Sequence, residues 1–91
     1  MNICVLDGEK LLNRRMLHDA LAEGLNLPDW YGRNLDALYD CLTDFQEETE
    51  IQILHKDALN GNLRKYAVLL VKVILAAAEN NPRIHYKEDS L

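Results

Sequence analysis

Leu63 to Asn80 is a run of eighteen residues without a glycine, a proline or a turn pair, and its length decides its structure. Val68, Val71, Val73 and Ile74 are β-branched and would suit a buried strand. Strands are rarely so long, however, and three alanines before Asn80-Asn81-Pro82 favour a helix, one suited to burial. The apolar part, Tyr66 to Ala78, is about thirteen residues and includes Lys72, too short to cross a bilayer. Only short segments remain for strands: Ile3 to Leu6, Glu50 to Leu54, and Arg83 to Lys87 with Ile84 and Tyr86 alternating. Helical stretches between strands require crossover connections. The predicted fold class is therefore α/β, a small parallel sheet with helices packed on it.

Local signals place the other elements. Asp7-Gly8 is a turn pair that closes the first strand. Met16, Leu17, Ala20 and Leu21 recur at helical spacing between Asn13 and Glu23, with Gly24 placed to stop the run. Leu25 to Arg33 is a loop containing Pro28, Trp30 and Tyr31. His55 to Leu59 is predicted as a single helical turn ended by Asn60-Gly61-Asn62. Between these lies a helix from Leu35 to about Phe45, with Asn34 as N-cap after Gly32, a residue able to take unusual backbone angles. Its Leu35, Leu38, Leu42 and Phe45, bordered by Cys41, form a core-facing stripe.

The opposite face of that helix is unusual. Asp36, Asp40 and Asp44 stand four residues apart and share an arc of about 140° with Tyr39 and Thr43. Like charges at this spacing repel by about 0.2–0.5 kcal/mol per pair, and no Lys or Arg follows three or four residues later. From Asp29 to Glu50 there are seven acids and one base, Arg33, a local balance of −6 within a chain whose formal net charge is −5. A concentrated negative field attracts basic partners. It argues against this surface binding nucleic acid directly, which needs Lys and Arg to replace phosphate counterions.

Ninety-one residues fit one domain, 1–91, with a single core, and the composition is that of an ordinary globular chain. Cys4 and Cys41 make neither a disulfide framework nor a zinc spacing, and both are expected to be buried thiols. The first residues, Met1 to Asp7, lack a basic segment followed by a long apolar run, so a cytoplasmic location is expected. His18, His55 and His85 are scattered and are expected to be structural or solvent-exposed.

The stretch Leu27-Pro28-Asp29-Trp30-Tyr31-Gly32-Arg33-Asn34-Leu35-Asp36-Ala37-Leu38-Tyr39-Asp40-Cys41-Leu42-Thr43 resembles the signature of the barstar-like family, inhibitors of secreted bacterial ribonucleases. Val5-Leu6-Asp7-Gly8-Glu9 resembles the family's strand and turn, and the C-terminal half is compatible in length and pattern. The resemblance implies a three-stranded parallel sheet with four helices, and a function that makes and breaks no bond. In the family, the acidic helix and its preceding loop plug the nuclease active site, and carboxylates meet the basic residues meant for RNA phosphates. Carried over, Asp40 matches the carboxylate in the phosphate site, and Asp36 matches a second acid that pairs with arginine. Trp30, Gly32, Asn34, Leu35, Tyr39, Thr43 and Phe45 match the surrounding contact surface. The implied partner is a basic microbial ribonuclease, bound by a protein that is a monomer when free and needs no cofactor, metal or membrane. Three positions depart from the family. Ala76 stands where a contacting glutamate is found, with Glu79 about a turn later. Arg33 replaces an acid, which would repel a basic target locally, and Asp44 adds one.

Each acidic and aromatic residue also has a plainer role open to it. Asp36 in the first helical turn is favourable through the helix dipole alone, whereas Asp40, in mid-helix, has no such support. Asp44 is either a partner contact or a solvated end of the helix, where the dipole disfavours an acid. Trp30 is a recognition aromatic or a core plug, and Tyr31 is expected to pack beneath the loop. As a whole, the chain could be an interaction module or antitoxin of the same fold binding another basic protein. A magnesium hydrolase built on the three aspartates is the weakest alternative, because no base is placed with them.

Overall fold

A computed structural model describes residues 1–88. Along the chain the elements are β1 (Asn2–Asp7), α1 (Arg14–Gly24), α2 (Leu35–Thr43), β2 (Thr49–Leu54), α3 (Lys56–Leu63), α4 (Lys65–Asn80) and β3 (Ile84–Glu88). The strands form one sheet in the order β1-β2-β3, both pairings parallel, with Cys4 opposite Ile51 and Ile51 opposite Tyr86. This is the α/β architecture expected, three parallel strands and four helices.

Alternation along the strands decides where the core lies. Cys4, Leu6, Ile51, Ile53 and Ile84 point to one face and are buried together with Leu17 and Leu21 of α1, Leu38 and Leu42 of α2, Leu59 of α3, and Leu70 and Ile74 of α4. The residues between them behave differently, for Ile3 and Val5 are half exposed and Leu54 is exposed. Parallel sheets usually bury both faces. This one buries a single face, so its central strand alternates instead of reading as one continuous apolar run.

Several boundaries differ from expectation. The helical turn at His55 does not stop at Asn60-Gly61-Asn62. α3 continues to Leu63, because Asn62 Nδ2 donates to the carbonyls of Gly8 and Leu11 (3.0 and 3.3 Å) and Lys56 Nζ donates to Asn60 Oδ1 (3.2 Å), which frees the backbone to stay helical. The break falls at Arg64, with φ 55° and ψ −126°, so α4 begins at Lys65. Nor is α4 buried all round: Val68, Leu69 and Leu75 are close to half exposed. Cys4 is buried, but Cys41 is only partly so. Gly24 closes α1 without a left-handed angle, which Asn26 takes instead at φ 52°. A side chain at Gly24 would reach within 2.6 Å of the Cys4 sulfur, so close packing of α1 on β1 is what requires glycine there.

α2 ends at Thr43, two residues short of the expected Phe45, and Asn81 accounts for the difference. Its side chain is 4% exposed, and its Nδ2 donates to the carbonyls of Leu42 and Phe45 at 2.9 and 3.0 Å, while its Oδ1 accepts from Arg83 N at 3.1 Å. One amide thus adds a donor to the Leu42 carbonyl, supplies one to Phe45, and fixes the exit of α4 against the end of α2.

The loop before α2 is held by a second buried polar group. His18 of α1, 1% exposed, lies 2.7 Å from the Tyr31 hydroxyl through Nδ1 and 2.7 Å from the Tyr66 hydroxyl through Nε2. A neutral imidazole has one N–H and one lone pair, so one tyrosine accepts and the other donates. Arg14 lies over the Tyr66 ring at 4.1 Å. Burial first, and the nearby Arg33 charge second, hold the His18 pKa below its ordinary value.

Two outcomes are expected. Asn81→Ala removes these donors from a buried site and should cost about 2 kcal/mol in urea unfolding; a loss under about 0.5 kcal/mol would show that the amide is dispensable. With its pKa lowered, His18 binds a proton less readily in the folded chain than in the unfolded chain, which takes one up near pH 6.5. Stability should therefore fall as pH drops through and below about 6.5, more steeply for the parent than for His18→Gln. Parallel curves for the two proteins would refute this assignment.

Candidate functional site

α2 starts where a good cap meets a fixed loop. Asn34 Oδ1 accepts from Ala37 N at 2.8 Å, and Asn34 Nδ2 donates back to the Gly32 carbonyl at 3.2 Å. Gly32 itself does not use a glycine-only conformation. The left-handed residue is Arg33, at φ 53°. That turn sends its guanidinium back to Asp19 of α1, with which it forms an ion pair. The charge expected to repel a basic target is thus engaged within the chain. Tyr31 N donates to the Pro28 carbonyl at 3.0 Å, and the Tyr31 ring is buried beneath the loop, as expected. Two anchors to α1, Tyr31 through His18 and Arg33 through Asp19, therefore hold the C-terminal end of the loop. Between Pro28 and Tyr31 it lifts Trp30 into solvent, 79% exposed. Trp30 is not a core plug.

Along α2 the two faces separate cleanly. Leu38 and Leu42 are fully buried, and Leu35 and Cys41 are partly so. Asp36, Asp40 and Asp44 are exposed, and among the described residues none of the three forms an ion pair with a Lys, Arg or His of this chain. Asp44 is the C-cap of the helix, at the end where the dipole opposes an acid. Thr43 Oγ1 donates back to the Asp40 carbonyl at 3.1 Å, which ties that hydroxyl to the helix backbone. Burial raises the Cys41 thiol pKa, and the Asp40 and Asp44 charges raise it further. Both effects favour the thiol over the thiolate.

Two of the expected site residues are partly withdrawn. Tyr39 is half-buried, and its hydroxyl accepts from Asn80 Nδ2 at 2.6 Å, so the last residue of α4 fixes its ring. Phe45 lies beyond the helix and packs against the core while keeping part of its surface. Asn80 is bonded to Tyr39, and Glu79 next to it is exposed, whereas Ala76 is partly covered. No spacing or motif in the sequence marks the supports at His18, Tyr66, Asn80 and Asn81. Asn80-Asn81-Pro82 carries a signal only for the end of a helix.

The three aspartates do not bring their carboxylate oxygens together as a metal-binding trio. Among the described residues the one group of three potential ligand atoms within 4.8 Å of one another is Asp7, Glu9 and His55, at the far ends of β1 and β2. There the His55 Nδ1 lies 3.0 Å from Asp7 and 3.5 Å from Glu9. No described helix is long and apolar enough to cross a membrane.

Comparison with known proteins bears on this arrangement. The family model described as "Barstar (barnase inhibitor)" matches residues 1–88. A protein of Bacillus subtilis (strain 168) named "Putative ribonuclease inhibitor YrdF" is 40% identical over 80 residues, which is 87% of this chain and 88% of that protein. The match extends well beyond the acidic helix and its entry loop, through all three strands and all four helices, and this chain belongs to the barstar family.

Proposed function

We propose that this protein inhibits a basic microbial ribonuclease by seating α2 and the loop before it in the enzyme's active site. The observation that carries the reading is the pair Asp36 and Asp40, exposed on a capped helix and, among the described residues, without an internal cation, beside an exposed Trp30. A ribonuclease must gather Lys, Arg or His around the phosphates it cleaves. Two carboxylates held at helical spacing offer that cleft the same charge without a scissile bond. Asp40 is the carboxylate assigned to the phosphate site, and Asp36 is assigned to a neighbouring arginine. Trp30 supplies the aromatic anchor of the kind that dominates interface energetics, and Gly32, Asn34, Leu35, Tyr39, Thr43 and Phe45 form the surface around the acids.

The energetics follow from preorganisation. The anchored loop and capped helix lose little freedom on binding. Opposite charges speed encounter, and salt slows it. Once water is excluded, removing one member of a charge pair leaves the other buried and uncompensated, at a cost of about 3–5 kcal/mol. In the free protein the same acids only repel one another.

The test is inhibition of RNA cleavage by barnase and by a panel of other guanyl-specific microbial ribonucleases, at low and at moderate salt. Asp40→Ala should weaken inhibition by roughly a hundred-fold or more, and Asp29→Ala by less than about three-fold. Thermal unfolding of Asp40→Ala should be unchanged or slightly higher, because one repulsion has been removed. Equal effects of the two substitutions would contradict the proposed mimicry. Failure to inhibit any of these enzymes would favour a non-nuclease partner.

A further inference from the structure

Asp7-Gly8-Glu9 turns the chain out of β1, and none of the three belongs to the proposed enzyme-binding surface. With His55, the two acids bring one nitrogen and two oxygens within 4.8 Å of one another. We infer that Asp7, Glu9 and His55 hold a divalent transition-metal ion of the zinc type, through His55 Nδ1 and one oxygen of each carboxylate. The site goes beyond the inhibitor reading and does not depend on it.

The donor set is the first argument. Two acids on a turn would be a solvated patch, but an imidazole nitrogen aimed at both makes a mixed set that suits zinc and its neighbours, whereas magnesium and calcium take oxygen. The spacing agrees. A metal about 2.1 Å from each donor holds neighbouring donors roughly 3.0–3.5 Å apart, from octahedral to tetrahedral geometry. His55 Nδ1 lies 3.0 Å from the Asp7 oxygen and 3.5 Å from the Glu9 oxygen. A fourth position is left for water.

The backbone is the second argument. Asp7 ends β1, and His55 directly follows β2, the parallel strand beside it. The carboxyl ends of parallel strands are where open α/β sheets place their ligands. Glu9 N donates to Asp7 Oδ1 at 3.0 Å, and Gly8 N donates to the Leu54 carbonyl at 2.8 Å. Gly8 permits the close approach, since a Cβ there would lie 2.3 Å from the His55 carbonyl oxygen and 2.8 Å from Leu59 N. A larger residue would push both acids away from the ring. Main-chain packing thus gathers the donors.

Charge is consistent with this assignment. The hydrogen bond from His55 first, and that from Glu9 N second, hold the Asp7 carboxyl below its ordinary pKa, so it is an ionised ligand at neutral pH. Lys10 acts on Asp7 in the same direction, while Lys56, next to His55, is engaged by Asn60 and Glu88. An ion at Nδ1 leaves the neutral ring its proton on Nε2.

The experiment titrates Zn²⁺ into the ¹⁵N-labelled full chain and follows the imidazole nitrogens together with thermal unfolding. His55 Nδ1 should shift and saturate at one ion per chain in the micromolar range, with Nε2 still protonated, and the thermal midpoint should rise with zinc concentration. His55→Asn removes the ring while suiting the left-handed backbone (φ 54°), and it should lose at least about ten-fold in affinity together with the thermal shift. Glu9→Gln should weaken binding by roughly ten-fold and still fold, so it decides the matter if His55→Asn does not fold. No saturation below about 1 mM, or equal affinity in the parent and Glu9→Gln, would overturn the assignment. So would shifts confined to His85, which would place the ion at Glu48, or an equal response to Mg²⁺.

Discussion

A helix bearing three aspartates along one side must draw its stability from elsewhere, and the rest of this fold is arranged around α2 to supply it. The magnitudes show why the acids are tolerated. Fully burying Leu38 and Leu42 contributes about 1.5–3 kcal/mol each, against about 0.2–0.5 kcal/mol for each repulsive pair. Asn34 adds an N-cap of about 1 kcal/mol. At the other end Asp44 and Phe45 close the helix through their own N–H groups, and the buried Asn81 amide, from the exit of α4, adds donors to the Leu42 and Phe45 carbonyls. The acidic surface is thus separated from the interactions that hold the helix in position.

What was legible in the sequence was what depends on neighbours a few residues away. The spacing of Leu35, Leu38 and Leu42 and the Asn34 cap lie within a single helix, and the helix is there with that cap. The eighteen-residue run became a helix because length excludes a strand, although its β-branched residues argued otherwise. What stayed hidden depends on distant partners. Asn81 meets α2 about forty residues earlier in the chain, and His18 meets Tyr66 across a separation of 48. Asn60-Gly61-Asn62 looks like a turn to any local rule, yet the Asn62 amide is occupied by the turn after β1. A local signal fails when a tertiary hydrogen bond satisfies the group that would have broken the helix.

Arg33 carries the same lesson into the candidate site. In the sequence it is a misplaced positive charge between Gly32 and Asn34, next to an acidic surface. In the fold its left-handed backbone turns the side chain toward Asp19 on α1, so it pins the loop. Tyr31 pins the same loop through His18, and Trp30 stands exposed one residue before Tyr31. Two anchors on one helix limit the freedom of the backbone that carries this exposed ring before any partner arrives.

The ends of the helices extend this reasoning beyond the three aspartates. α1, α2 and α4 each finish without a Lys or Arg in the last turn. Their ends lie near one another: Gly24 and Asp44 share a cleft with the first residue of β1, and Asn81 bonds to carbonyls at the end of α2. A basic residue at a helix C-terminus typically contributes about 0.3–1 kcal/mol, so three such omissions leave on the order of 1–3 kcal/mol unused in the free protein. Asp44 moves the balance further the same way. A chain selected only for its own stability would place cations here. One completed by a cationic cleft does better without them, since each internal ion pair would have to be broken before the partner could bind. In the inhibitor reading, the missing bases and the clustered acids are therefore two parts of one device: the stability given up by the free molecule becomes affinity for the enzyme.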